Sequence, residues 1–113
     1  MTASRPDHRA LAEALRYRVL EGRGVSDHAT RKAAADRAGG GPAMAVPYDD
    51  LASQIGECSH RVTDAQVGGV VQAAGSEKAA FEIIAAAAMG AGLMRWRLAV
   101  KALCEASDAS ARN

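Results

Sequence analysis

VTDAQVGGVVQAAGSEKAAFEIIAAAAMGAGLMRW, residues 62–96, is the stretch whose reading decides the fold. Thr63-Asp64-Ala65-Gln66 has the form of a capping box, in which the threonine oxygen accepts a free helix amide and the glutamine reaches back to the cap. Val67, Val70, Val71 and Ala74 then recur at i, i+3, i+4 and i+7, the apolar stripe of a helix. Gly68 and Gly69 weaken helix propensity and suggest close backbone approach on another side. Gly75 suits the left-handed residue that ends a helix, and Ser76 caps the next one. That last helix meets no strong stop before about Ala106, so it covers about thirty residues, or about 45 Å at about 1.5 Å per residue. A compact chain of this length has a radius of gyration of only about 13 Å. Either the helix bends near Gly90 and Gly92, or one end projects into a partner subunit, and both outcomes favour oligomerisation. The run at residues 85–92 carries little side-chain bulk on any face, which lets helices at the centre of a bundle pack at short distance.

Upstream, a first helix is expected from near Pro6 to about Glu21, ended by Gly22 and Gly24. Leu11, Ala14, Leu15 and Val19 form its apolar stripe. A second, weaker helix starts at Ser26 as N-cap and runs to Ala38, before the break at Gly39-Gly40-Gly41-Pro42; its surface is mostly polar. A third starts from Pro47, with Leu51, Ala52, Ile55 and Cys58 on one side. The expected architecture is an all-α bundle of about five helices in a single domain over 1–113. Residues 1–46 supply N-terminal helices and a glycine-rich linker, 47–106 the helical core and 107–113 a tail.

Composition supports this reading. Of 113 residues, 49% are apolar, 24% charged and 4% aromatic, the balance of a folded domain built from thin side chains. The formal net charge of +1 offers no global field for nucleic acid or an acidic membrane surface. The opening MTASRPDHR is polar and has no secretory-signal pattern, so a cytoplasmic location is expected. The longest apolar run, residues 81–94, contains Glu82 and is shorter than the roughly 20 residues a bilayer requires. It reads as a core helix, and neither a membrane nor a nucleic acid is an expected partner. Trp96 reads as a core or interface anchor.

Glu57-Cys58-Ser59-His60 is the place where a carboxylate, a thiol and an imidazole crowd together, and these three are the candidate catalytic residues. On a continuous helix Glu57 and His60 share a face, while Cys58 and His60 point to nearly opposite sides. A Cys-His pair therefore requires the helix to fray. Cys58 falls late in its helix, where the macrodipole opposes a thiolate, and its neighbours Leu51 and Ile55 favour burial. Cys104 is far away in sequence, and two such thiols in a reducing compartment are expected to stay unbridged. No spacing of histidines, cysteines and carboxylates fits a zinc site, and a lone Glu-x-x-His is at most half of a di-iron site. No nucleotide-binding or nucleophile-elbow motif is present, so no metal or cofactor is expected. Glu82 and Arg95, with Arg97 nearby, must reach solvent or pair; they are candidate structural or pocket charges.

The progression Val-Thr-Asp, apolar helix, Ala-Ala-Gly, Ser-Glu, Phe81-Glu82, alanine-rich run and Arg95 resembles the helical core of the alkylhydroperoxidase-D-like and carboxymuconolactone decarboxylase-like superfamily, over residues 47–103. The resemblance implies an oligomeric helical fold and an antioxidant, peroxide-reducing oxidoreductase. Peroxidatic members use a Cys-x-x-Cys pair with a nearby glutamate and a following histidine, and this chain has neither the pair nor that histidine spacing. It is thus similar to a member with a degenerate active site, in which Cys58 is oxidised to a sulfenic acid while Glu57 and His60 move protons. One alternative is a non-catalytic oligomeric scaffold or small-molecule-binding subunit of the same fold. The other is a small DNA-associated regulator, suggested by the arginines of residues 11–24.

Overall fold

The computed structural model describes residues 5–112; the polar opening at residues 1–4 and the last residue of the expected tail, Asn113, lie outside the described part. Five helices follow in order: α1 (His8–Glu21), α2 (His28–Ala38), α3 (Tyr48–Cys58), α4 (Asp64–Ala74) and α5 (Glu77–Arg112). A 3-10 turn at Ser59–Arg61 links α3 to α4, and no strand occurs among the described residues.

The chain between α3 and α5 folds as the caps dictate. Thr63 Oγ1 accepts from the Gln66 amide at 3.1 Å, and Gln66 Oε1 accepts from the Thr63 amide at 2.9 Å. Each bond satisfies a donor that the start of a helix leaves without a partner. Gly75 closes α4 in the left-handed region at φ 92°, and Ser76 Oγ accepts from the Ala79 amide at 3.1 Å to open α5. Val70 is fully buried, so this one side chain contributes about 1.5–3 kcal/mol of apolar burial.

The centre of the molecule is α2, the helix with the least apolar sequence. Its inward stripe is Arg31, Ala34, Ala35 and Ala38, all buried, at the i, i+3, i+4 and i+7 spacing of a core-facing helix. Neighbouring helices approach its backbone from two sides. A methyl group on Gly90 of α5 would stand 2.2 Å from the Ala35 carbonyl oxygen, and one on Gly56 of α3 would stand 2.2 Å from that of Ala38. Glycine is thus required at both crossings. Ala80, Ile83, Ala87 and Ala91 of α5 join Leu51, Ala52 and Ile55 of α3, Val70 of α4, and Ala34 and Ala38 in one cluster, while Leu20, Ala35 and Ala86 form a second where α1 packs.

Several sequence-based expectations need correction. The α1 helix starts at His8 with Asp7 as cap. Of its expected stripe only Val19 packs against the core; Leu11, Ala14 and Leu15 are exposed, and Leu20 is the buried residue. The cap of α2 is Asp27 rather than Ser26, because the Ser26 hydroxyl and amide are bound elsewhere. Instead of stopping near Ala106, α5 continues to Arg112. The molecule's longest dimension, 55 Å, is what 36 residues span at about 1.5 Å each without folding back. Every residue from 95 to 112 is exposed. By length and composition α5 is long and apolar enough to cross a membrane, with an 18-residue window of mean hydropathy 1.4. Its first half is nonetheless packed as a core helix, with Ala79, Ala80, Ile83, Ala86, Ala87 and Ala91 buried.

The glycine crossings yield a pair of opposite outcomes. Gly90→Ala forces α2 and α5 apart and is expected to destabilise by about 1–3 kcal/mol, as overpacking does. Gly68→Ala, with no atom within 4 Å of the new methyl, is expected to stabilise by about 0.5–1 kcal/mol through helix propensity. Thermal unfolding followed by circular dichroism reads both, and a Gly90→Ala protein as stable as the parent would contradict the close crossing.

Candidate functional site

The end of α3 separates the three residues of the Glu57-Cys58-His60 cluster differently from the helical expectation. Cys58 leaves helical geometry at φ −160°, ψ 79°, so the i, i+3 relation between Glu57 and His60 is lost. The fraying that a Cys-His contact requires does occur: Cys58 Sγ lies 3.4 Å from His60 Nδ1 and 3.5 Å from Nε2. A sulfur nearly equidistant from both ring nitrogens cannot lie on the line of either N–H bond, so it faces the ring instead of accepting an in-line hydrogen bond. Cys58 is half-buried rather than enclosed, and His60 is exposed. Cys58's own carbonyl accepts from Gln54 Nε2 at 3.0 Å, which secures the last turn of α3.

Cys104 is exposed and both thiols are free. Arg95 reaches α3, and Cys104 lies nine residues, or about 13 Å of helical rise, further along the exposed end of α5. The fold does not bring a second thiol to Cys58. Among the described residues no three His, Cys, Asp or Glu side chains converge as metal ligands.

Glu57 is exposed and lies at the edge of a cleft of ≈ 200 Å³ lined also by Arg37, Ser53, Met94 and Arg95. Arg95 donates from Nη2 to the Gly56 carbonyl at 2.6 Å, placing a cation at the C-terminal end of α3, where the helix dipole favours it. Arg37 is held by Asp49, with Nε to Oδ1 at 2.8 Å, and donates to the Gly41 carbonyl at 3.2 Å. Asp49 Oδ1 also accepts from the Met44 amide at 2.9 Å. Asp49 therefore ties the end of α2 to the start of α3 across the glycine-rich linker. That amide first, and the Arg37 guanidinium as well, hold its carboxyl below the usual range.

Glu82 has a defined structural task. Its carboxylate accepts from the Ser26 hydroxyl at 2.7 Å, the Ser26 amide at 2.8 Å and the Val25 amide at 2.9 Å, so α5 grips the loop between α1 and α2. Gly24 admits the carboxylate, since a methyl there would stand 2.5 Å from Oε2. Arg31, only 3% exposed, completes the junction by donating to the Val19 carbonyl at 2.8 Å and the Gly22 carbonyl at 2.9 Å. A guanidinium thus satisfies two carbonyls left free at the end of α1. The Ser26 hydroxyl, then its amide, the Val25 amide and the charge of Arg31 hold Glu82 below the ordinary carboxylate range against the opposing effect of burial. Sequence reasoning placed Glu82 among the structural or pocket charges and passed over Arg31. The available signal was its i−3 position relative to Ala34.

A groove of ≈ 490 Å³ opens between α5 and α1, lined by Arg9, Ala12 and Glu13 on one wall and by Leu93, Trp96, Arg97, Val100 and Lys101 on the other. Trp96 is 37% exposed. It is not a core residue, and it stands in the wall of this groove.

Because Glu82 and Asp49 both have folded-state values below their ordinary ones, 4.5 and 3.8, folding favours their ionised forms. The stability they add is complete above those values and is lost as pH falls through the lowered folded ones. The urea midpoint is therefore expected to fall on acidification below about pH 4.5, and Glu82→Gln is expected to lower it at neutral pH and flatten its acid dependence. An unchanged acid profile in Glu82→Gln would refute the anchoring role.

No family model, no curated protein and no solved structure matches this chain.

Proposed function

We propose that this chain is a helical subunit similar to the alkylhydroperoxidase-D-like and carboxymuconolactone decarboxylase-like proteins, one that lacks the peroxidatic thiol pair and works as a self-assembling scaffold. The observation that carries this reading is the placement of the thiols. Cys58 sits half-buried at the end of α3, and Cys104 lies on the exposed end of α5. A dithiol cycle needs two sulfurs within bonding reach, with their Cα atoms no more than about 7 Å apart. Kinship is supported by the capped α4, the left-handed Gly75 and the alanine face of α5, together with the position of Glu82 near the start of that helix; Arg95 stands at its middle. The same reading puts the protein in the reducing cytoplasm, where free thiols persist.

A second reading rests on the 3.4 Å approach of Cys58 Sγ to His60. In it the Cys58 thiolate attacks one peroxide oxygen, the O–O bond breaks, and the departing alkoxide takes a proton from His60. The cysteine is left as a sulfenic acid, which condenses with one thiol of an external dithiol to a mixed disulfide and water; the donor's second thiol then closes its own disulfide and frees Cys58.

Peroxide consumption with a dithiol donor separates the two. The scaffold reading expects the same background rate from the parent and from Cys58→Ser. Turnover that disappears in Cys58→Ser and falls at least tenfold in His60→Ala would establish the second reading in its place.

A further inference from the structure

Helices α1 and α5 run antiparallel and splay apart. At the closed end Val19 and Leu20 pack with Ala86 and Met89, and Leu20 and Ala86 are 1% and 0% exposed. Toward the start of α1 the two helices separate, and the face that carries Arg9 stands across the ≈ 490 Å³ groove from the face of α5 that carries Trp96, Arg97 and Val100. A second recess of ≈ 330 Å³ shares Leu93 and Arg97 with the groove and reaches the glycine-rich linker at residues 39–42. The groove has the size of a small-molecule site, about 300–1,000 Å³.

Floor and rim differ in chemistry. Leu93 is half-buried, and Trp96 and Val100 keep 37% and 39% of their surface exposed, so an apolar body laid over them leaves water. The rim carries three cations, Arg9, Arg97 and Lys101, against one carboxylate, Glu13. Among the described residues neither Arg9 nor Arg97 has an ion-pair partner, and Lys101 has only Glu105, at 3.9 Å with both side chains exposed. A solvated pair of that length holds little. Arg97 stands where the two recesses meet, and unlike Arg37 and Arg95, which hold Asp49 and the Gly56 carbonyl, it is uncommitted. A guanidinium offers two parallel N–H donors that fit one carboxylate. An inorganic anion there would leave the apolar floor wet, and a neutral hydrocarbon would leave the arginine unused. A molecule with a charged head and an apolar body matches both.

We propose that the groove between α1 and α5 binds a small amphipathic monocarboxylate, its carboxylate paired with Arg97 and its hydrocarbon body lying over Leu93, Trp96 and Val100. Arg9 and Lys101 raise the local positive potential that draws the head in. Glu13 on the opposite rim opposes a second negative charge, which sets the ligand at one. The site uses neither thiol, so it goes beyond the scaffold reading and stands or falls apart from it.

Trp96, the chain's one tryptophan, reports on the site directly. Decanoate below its micelle-forming concentration is expected to shift Trp96 emission to shorter wavelength and, by titration calorimetry, to saturate at one per chain. Decanol, the same length without the charge, is expected to bind at least about tenfold more weakly, and acetate, the head without the body, is expected not to compete. Arg97→Gln, at an exposed residue, is expected to bring decanoate down to the affinity of decanol while the helical circular dichroism signal is kept, and Arg97→Lys to retain part of the difference. Arg61→Gln, at an exposed arginine outside the groove, is expected to bind decanoate as the parent does. An emission shift that never saturates, equal affinity for decanol and decanoate, competition by acetate, or unchanged binding in Arg97→Gln would each overturn the proposal. So would a loss in Arg61→Gln as large as in Arg97→Gln, the mark of general charge attraction.

Discussion

Close contact of helix backbones at α2 sets the rest of the architecture. Gly90 and Gly56 bring α5 and α3 against the carbonyls of Ala35 and Ala38, and α2 contributes only alanines to the clusters around the crossings. Packing of this kind gains little from each side chain and depends on many dispersion contacts at full density. The core holds together without the chain's one phenylalanine or its one tryptophan: Phe81 is exposed and Trp96 lines a groove.

With so thin a core, polar junctions fix what apolar bulk does not. Arg31 fastens the end of α1, Glu82 fastens the loop that follows, and Asp49 with Arg37 fastens the step from α2 to α3. Each ionised group meets backbone donors or carbonyls, the arrangement that offsets the cost of burying a charge, with Nε of Arg31 the one buried side-chain donor left without a partner among the described residues. These junctions orient α1, and the orientation of α1 leaves the groove open along α5.

The legible parts of the sequence were those with local chemistry. Thr63, Gln66, Gly75 and Ser76 specify their caps within a few residues, so the α4–α5 hairpin follows from spacing alone. The length of α5 was underestimated because residues 107–112 hold no breaker, and their polarity resembled a tail. Helix α2 was undervalued because alanine is barely apolar, and its stripe of 31, 34, 35 and 38 shows itself only where glycines of other helices meet it. In α1 the apolar periodicity of Leu11 and Leu15 was real but marks the outer face, since periodicity identifies a stripe without saying what covers it. At the candidate site, the Cys58-His60 approach depends on the backbone break at Cys58. That break lies at the end of a helix, where boundaries are least determined by pattern.

The account reduces to a division of α5 into a half that belongs to the chain's own core and a half, residues 95–112, that is exposed throughout. Hydrogen–deuterium exchange tests that division most directly. Amides of residues 79–94 should be protected, and those of residues 95–108 should exchange far faster in dilute solution. Equal protection of both halves would contradict it.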